Sequence, residues 1–246
     1  MSAAAATPNF ICKLKSRQVV AEGTMAFHFE KPTGWTFKPG QYVDITLLDP
    51  SETDSEGNER SLSIASSPHE VTLMVATRMR DTAFKRELKR MPLGTQVKID
   101  GPLGSFTLHS NASRPAVFLA GGIGITPFRS MIVSADRESL ANRIVLFYSN
   151  RRPEDAAFLE DLQEIGKENK NYQIIGVMTE MEKSKHRWIG ETGLIDKVML
   201  LRFVPDVAAP IYYIAGPPAM VAAMKETLVS AGANEDDFRS EDFAGY

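Results

Sequence analysis

The apolar positions of the chain change rhythm near its middle. Up to about His109 they fall in short runs that alternate with polar residues: 11–20 (ICKLKSRQVV), 24–30 (TMAFHFE), 41–48 (QYVDITLL), 60–66 (RSLSIAS), 70–77 (EVTLMVAT) and 95–100 (TQVKID). Alternation with period two in segments rich in Val, Ile, Thr and Phe predicts strands. The breaks at Pro32-Thr33-Gly34, Lys38-Pro39-Gly40 and Asp100-Gly101-Pro102 carry turn chemistry. Such spacing predicts an antiparallel barrel or sandwich. One helix is predicted within it, over 83–90, capped by Asp81 or Thr82 and presenting Phe84, Leu88 and Met91 on one face.

After Arg114-Pro115 the apolar runs become continuous. AVFLA (116–120) is a buried strand, followed by a glycine turn and a helix over 128–139. RIVLFY (143–148) is a second strand, and 153–165 is predicted as a helix with Phe158, Leu162 and Ile165 facing inward. YQIIGVM and IYYIAG are further strands, and 217–231 is a helix. Strands alternating with helices predict a parallel sheet covered on both faces. The expected organisation is therefore two domains: an antiparallel β-barrel over 1–112, then an α/β parallel-sheet nucleotide-binding domain over 113–246. The acidic stretch 51–59 (SETDSEGNE) is expected to be a solvated loop, because it has too little apolar surface to order itself.

Charge and composition narrow the function. With 28 Lys and Arg against 31 Asp and Glu, the formal charge of −3 argues against a nucleic-acid partner, which would call for a basic face. The single cysteine, Cys12, excludes a disulfide framework and a cysteine-ligated cluster within this sequence. The four histidines stand without metal-ligand spacing. No apolar run reaches the length of a membrane span, and MSAAAATP lacks the basic and apolar regions of a signal peptide. A cytoplasmic, metal-free protein with no nucleic-acid partner is expected.

Three places carry candidate chemistry. In AVFLAGGIGITP a strand meets a helix start through Gly122, Gly124, Thr126 and Pro127. Such a turn brings backbone N–H groups and the helix dipole to a pyrophosphate, although the same residues also suit a tight connection without a ligand. A second turn, Gly216-Pro217-Pro218-Ala219-Met220, follows IYYIA, and two such turns can flank one crevice. Ser149, Arg151 and Arg152 end the strand RIVLFY where an NAD site often has an acid. A hydroxyl and two cations suit a 2′-phosphate, so NADPH is preferred over NADH, with a solvated arginine pair as the alternative.

In their order, Lys38-Pro39-Gly40-Gln41-Tyr42, Arg60-Ser61-Leu62-Ser63-Ile64-Ala65-Ser66, Gly101-Pro102-Leu103-Gly104-Ser105-Phe106, Gly121 to Pro127 and Gly216 to Met220 resemble the ferredoxin–NADP reductase superfamily of flavoproteins. The resemblance implies that Arg60 to Ser63 hold FAD. Arg60 would pair with its pyrophosphate, Ser63 would hydrogen-bond near flavin N5, and Leu62 stands where the family has an aromatic. Thr82 is implied as a second pyrophosphate contact, and Thr77 and Arg78 as neighbours of the flavin. At the C-terminal end, Glu241 and Phe243 match an acid and an aromatic over the flavin, with Tyr246 as a further candidate. Ser63, Glu241 and Phe243 are thus the expected catalytic residues. The implied activity moves hydride between NADPH (or NADH) and FAD, then single electrons to a ferredoxin, a flavodoxin or an oxygenase component. Reduction of free flavin is an alternative. So is a non-catalytic nucleotide-binding subunit, which Leu62 and Ala215 would favour, since the family often has an aromatic and a cysteine there.

Overall fold

The computed structural model describes residues 8–243. The alternating segments form β1 (Asn9–Ala21), β2 (Thr24–Glu30), β3 (Tyr42–Leu47), β4 (Glu59–Ser63), β5 (Thr72–Arg78) and β6 (Gln96–Leu103). They pair antiparallel in the order β4-β3-β6-β1-β2-β5. The two outer strands meet through an antiparallel bridge between Ile64 and Val75 and through the Ala65 N–H, which donates to the Met74 carbonyl at 2.8 Å. The sheet is thereby closed into a six-stranded barrel. Period-two alternation sends Val43, Ile45 and Leu47 inward, each at most 2% exposed. The helix α1 (Ala83–Arg90) lies between β5 and β6 and puts Phe84, Leu88 and Met91 into the barrel core.

The second half builds β7 (Ala116–Gly121), α2 (Ile125–Arg137), β8 (Ile144–Asn150), α3 (Leu159–Glu168), β9 (Tyr172–Met178), β10 (Glu191–Thr192), α4 (Lys197–Phe203), β11 (Ile211–Gly216), α5 (Pro218–Ala231) and β12 (Phe238–Asp242). The strands are all parallel, in the order β10-β9-β8-β7-β11-β12. Every residue of β7 is buried, as expected for a strand covered on both faces. The chain leaves β7 to one side and returns as β11 on the other. This reversal is where open parallel sheets form a crevice beyond their strand ends.

The structure corrects the sequence reading at several points. Residues 153–155 form only a short turn, and the helix begins at Leu159. Phe158, at φ 61°, sits buried under the Arg129 guanidinium, 5.0 Å from its ring. The first of the later helices starts at Ile125, so Pro127 lies inside the first turn, where its missing N–H is not needed. Residues 238–242, to which the sequence reading assigns no element, form a paired strand, β12. Finally, the acidic stretch 51–59 is held to α1: Glu52 pairs with Arg86 and Arg90, and Ser51 donates to Glu87.

The two sheets share one apolar cluster. Ala65, Met74, Ala76 and Phe106 of the first pack with Phe118, Phe128 and Met131 of the second. Polar bonds lock the junction. Arg129 donates to the Ala65 carbonyl at 2.8 Å and forks onto both Glu70 oxygens at 2.9 and 3.1 Å. Ser130 donates to the Ser66 carbonyl at 2.7 Å.

Candidate functional site

Two clefts that share a wall open along this junction. The larger, of about 500 Å³, lies over the strand ends of β7, β8 and β11 and reaches the barrel at Arg78 and Arg80. The smaller, of about 350 Å³, lies against β4 and is walled on the far side by β12. Ile123 and Phe243 line both, so one apolar wall separates them.

The larger cleft is floored by the glycine turn. Gly122 has φ 53° and open space where a side chain would stand, so its backbone is the surface that a ligand meets. Gly124 serves packing instead: a Cβ there would come 2.2 Å from the Ala215 carbonyl oxygen of β11. A Cβ on Gly121 would strike the Met220 sulfur at 2.2 Å. The two glycine turns are therefore pressed together, and the short turn Gly122–Gly124 leads from the cleft into α2. Arg78, Arg80 and Arg151 line this space together with Ser149, and no acid is among its described lining residues. Three cations around exposed glycine backbone make an anion site that suits the pyrophosphate of a dinucleotide.

The smaller cleft has the opposite character. Ser61, Leu62 and Ser63 of β4 line it with Tyr42, Thr126, Glu241 and Asp242. It offers hydroxyl groups, apolar walls and two carboxyls, with no cation among its described lining residues, and this suits an uncharged planar ring. Thr126 directs its own hydroxyl back to the Ile123 carbonyl at 3.0 Å. Burial pushes the Glu241 carboxyl up to about 7, since water that would stabilise its charge is excluded. Glu241 and Phe243 are two residues apart at the end of β12, where the Phe243 N–H donates to the Gly216 carbonyl at 2.9 Å. The tip of β12 is thus tied to the second glycine turn.

Not every expected residue comes to the clefts. Ser61, Leu62, Ser63, Arg78, Gly122, Thr126, Ser149, Arg151, Gly216, Met220, Glu241 and Phe243 line one or both. Arg152 turns away and pairs with Asp155 at 2.9 Å and with Glu22 of the barrel at 3.0 Å. Thr77 is buried within β5, and Thr82 accepts from the Lys85 N–H as a helix cap. Arg60 stacks over Phe84, 5.1 Å from its ring, and bonds to the acidic loop through Glu56. Tyr246 lies outside the described residues.

Sequence reasoning missed Ile123, Tyr42 and Arg80 as site residues. Ile123 sits between two glycines, which signalled only the backbone, and Tyr42 was part of a motif without an assigned contact. The packing of that motif is explicit: a Cβ on Gly40 would meet the Phe106 carbonyl oxygen at 2.0 Å, and Gln41 donates to the Gly104 carbonyl at 3.0 Å. Lys38 to Tyr42 and Gly101 to Phe106 thus brace each other below the smaller cleft.

Comparison with known proteins agrees with this geometry. Residues 118–226 match the oxidoreductase NAD-binding domain. The chain is 28% identical over 224 residues to the glycine betaine monooxygenase reductase subunit of Chromohalobacter salexigens, covering 89% of this chain and 60% of that protein. It is 28% identical over 219 residues to the propane 2-monooxygenase reductase component of Rhodococcus jostii, covering 87% and 57%. The chain thus spans less than two thirds of the length of these relatives. Among solved structures, a cytochrome P450 reductase from Amycolatopsis superposes with a TM-score of 0.80 at 20% identity, over 96% of this chain and 71% of that one. A ferredoxin–NADP+ reductase from Neisseria gonorrhoeae, with bound FAD and NADP, superposes with a TM-score of 0.77 at 19% identity, over 95% and 98%. A closed barrel ahead of a parallel NAD-binding sheet, with the clefts at their junction, is the fold this chain shares with these reductases.

Proposed function

We propose that the chain is an oxidoreductase that holds FAD against the barrel and a nicotinamide dinucleotide on the parallel sheet, and that it delivers electrons to a carrier protein. Ferredoxin, flavodoxin or an oxygenase component is the class of carrier, in line with the reductase components among its relatives. The observation that carries this reading is the wall of Ile123 and Phe243 between a cation-lined cleft and one lined by hydroxyls, apolar groups and two carboxyls. Two ring systems held on either side of one movable aromatic can be brought into contact when it turns aside. The cleft chemistry fits both groups: backbone N–H groups and arginines for phosphates, hydroxyls and apolar walls for a ring.

Bound flavin supplies hydride acceptance and one-electron release, which no side chain of the protein can provide. The chain's own residues bind, orient and exclude water. Gly122 and the start of α2 fix the dinucleotide pyrophosphate, with Arg78 or Arg80 within the same cleft. Ser149 and Arg151 hold the 2′-phosphate of NADPH, which is preferred over NADH. Ser63 offers its hydroxyl to the ring in the smaller cleft, and Glu241 can hold a proton beside it near neutral pH. Phe243 keeps water from the ring face until the nicotinamide replaces it. Arg60 stands apart at the loop end of β4 as the flavin phosphate contact.

The test is optical. Protein mixed with FAD and freed of excess should be yellow, and anaerobic NADPH should bleach it. A preparation that stays colourless refutes the reading. Reduction of free flavin is a second reading, favoured by the ties that hold Arg60 to its own loop. Comparing ferredoxin with free FMN as acceptors during NADPH oxidation separates the two.

A further inference from the structure

The loop between β3 and β4 puts two carboxylates on the groups assigned above to the flavin phosphates. Asp54 Oδ2 accepts the N–H of Ala83, the first residue of α1, at 2.8 Å. Its other oxygen stands 3.8 Å from Arg60 Nη2. Glu56 Oε2 accepts from the same Arg60 nitrogen at 2.6 Å, and Arg60 Nη1 donates to the Glu56 and Glu59 carbonyls at 2.9 and 2.6 Å. A guanidinium beside the free N–H groups of a helix start is a phosphate-binding arrangement. Here it is filled by the protein's own acids.

Two further features make this more than ordinary surface pairing. The neighbourhood is cationic beyond Arg60 itself. Lys85, in the first turn of α1, is buried, and burial followed by the charges of Arg80 and Arg60 pulls its ammonium down to about 8. Arg80, Arg60 and Lys85 are thus close enough to feel one another, and the two oxygen-rich ends of a diphosphate can face them together. The contact also sits at the tip of the loop, between an anchor at Glu52 and another at Asn58, which donates to the Leu47 carbonyl at 2.8 Å and accepts from the Leu47 N–H at 2.9 Å. Glu52 is clamped by Arg86 and Arg90, whereas 54–57 is a short turn closed by the Gly57 N–H on the Asp54 carbonyl at 3.0 Å. Such a turn can swing while its root stays fixed.

We propose that this acidic loop is a built-in occupant of the flavin phosphate station, and that FAD binds in exchange for Asp54 and Glu56. The inference rests on the assignment of Arg60 to the flavin. It means that the affinity for flavin is set by the loop as much as by the cleft. The exchange is electrostatic, with no bond made or broken: two carboxylates return to water as the diphosphate takes their place. A ligand without phosphates has no such exchange to make.

The experiment compares the full chain with E56Q and with D54N/E56Q, each freed of flavin. The D54N side chain keeps an oxygen for the Ala83 N–H, so the helix cap survives, and Glu56 is exposed, so E56Q alone guards against a folding defect. FAD and inorganic pyrophosphate should bind about threefold tighter to E56Q and about tenfold tighter to D54N/E56Q. Riboflavin, titrated as the control, should bind equally to all three. Equal or weaker FAD binding by the variants overturns the loop's role and leaves the flavin reading standing. If no protein binds FAD yet pyrophosphate still distinguishes the variants, the flavin reading fails and the loop's role survives.

Discussion

Glu241 shows how one side chain couples the site to pH. Its carboxyl is driven up to about 7 by burial, so folding disfavours the charged form. Unfolded, the group ionises near 4.5, and between that pH and about 7 the folded state binds more protons. Stability therefore falls as pH rises through this window, and the cost is complete above it. Glu241→Gln should melt at the same temperature as the parent at pH 4 and at a higher one at pH 8; thermal melts at both pH values check the sign. Arg151 and Arg152 make the complementary point. In the sequence they are an indistinguishable pair, because which one turns to the barrel depends on Glu22, 130 residues away. Arg151→Ala should raise KM for NADPH several-fold more than for NADH, with little change in stability. Arg152→Ala should instead lower Tm by a few degrees and leave that ratio unchanged.

At the level of elements, the glycine turn separates into two kinds of position. Gly124→Ala would drive a methyl into the Ala215 carbonyl, which is backbone and cannot move aside; a loss of about 1–3 kcal/mol is expected in chemical denaturation. Gly122→Ala meets nothing, so the cost is limited to about 1 kcal/mol of left-handed strain. Its main effect should be weaker nucleotide binding, seen in KM. Elements with strong apolar periodicity were legible in the sequence: the barrel strands, the buried core of the parallel sheet, and α1 with its cap. What escaped had little local signal. In β12, FRSED, Phe238 is the only strong strand former, and the strand exists because β11 offers an unpaired edge. Loop 51–59 looked solvated because its ordering comes from cations on α1, some 30 residues further along the chain.

Across the whole molecule, the junction between the sheets decides whether the two clefts face each other. Arg129, 9% exposed, forks onto Glu70 and holds the Ala65 carbonyl, so it ties α2 to the strand that closes the barrel. Arg129→Ala leaves that buried carbonyl without its donor and should cost about 2 kcal/mol. Calorimetry should show whether the loss is shared: a single broadened transition or two separate ones would reveal a loosened junction, whereas an unchanged sharp peak would show that the apolar cluster suffices. Sequence motifs marked both faces of this junction but not the bonds across it, since those join residues with no common periodicity.

The register of β12 acts as a ruler for the chemistry. Glu241 and Phe243 are two positions apart and reach the same wall only because the Phe243 N–H is pinned to Gly216. Removing one residue from the segment 234–237 ahead of the strand would slip the pairing by one, and every side chain would exchange faces. Asp242 would then stand where Glu241 now stands, and Phe243 would leave its place in the wall. The spacing between the last helix and the final strand is thus a functional dimension, and a one-residue indel there is more damaging than many substitutions within the clefts themselves.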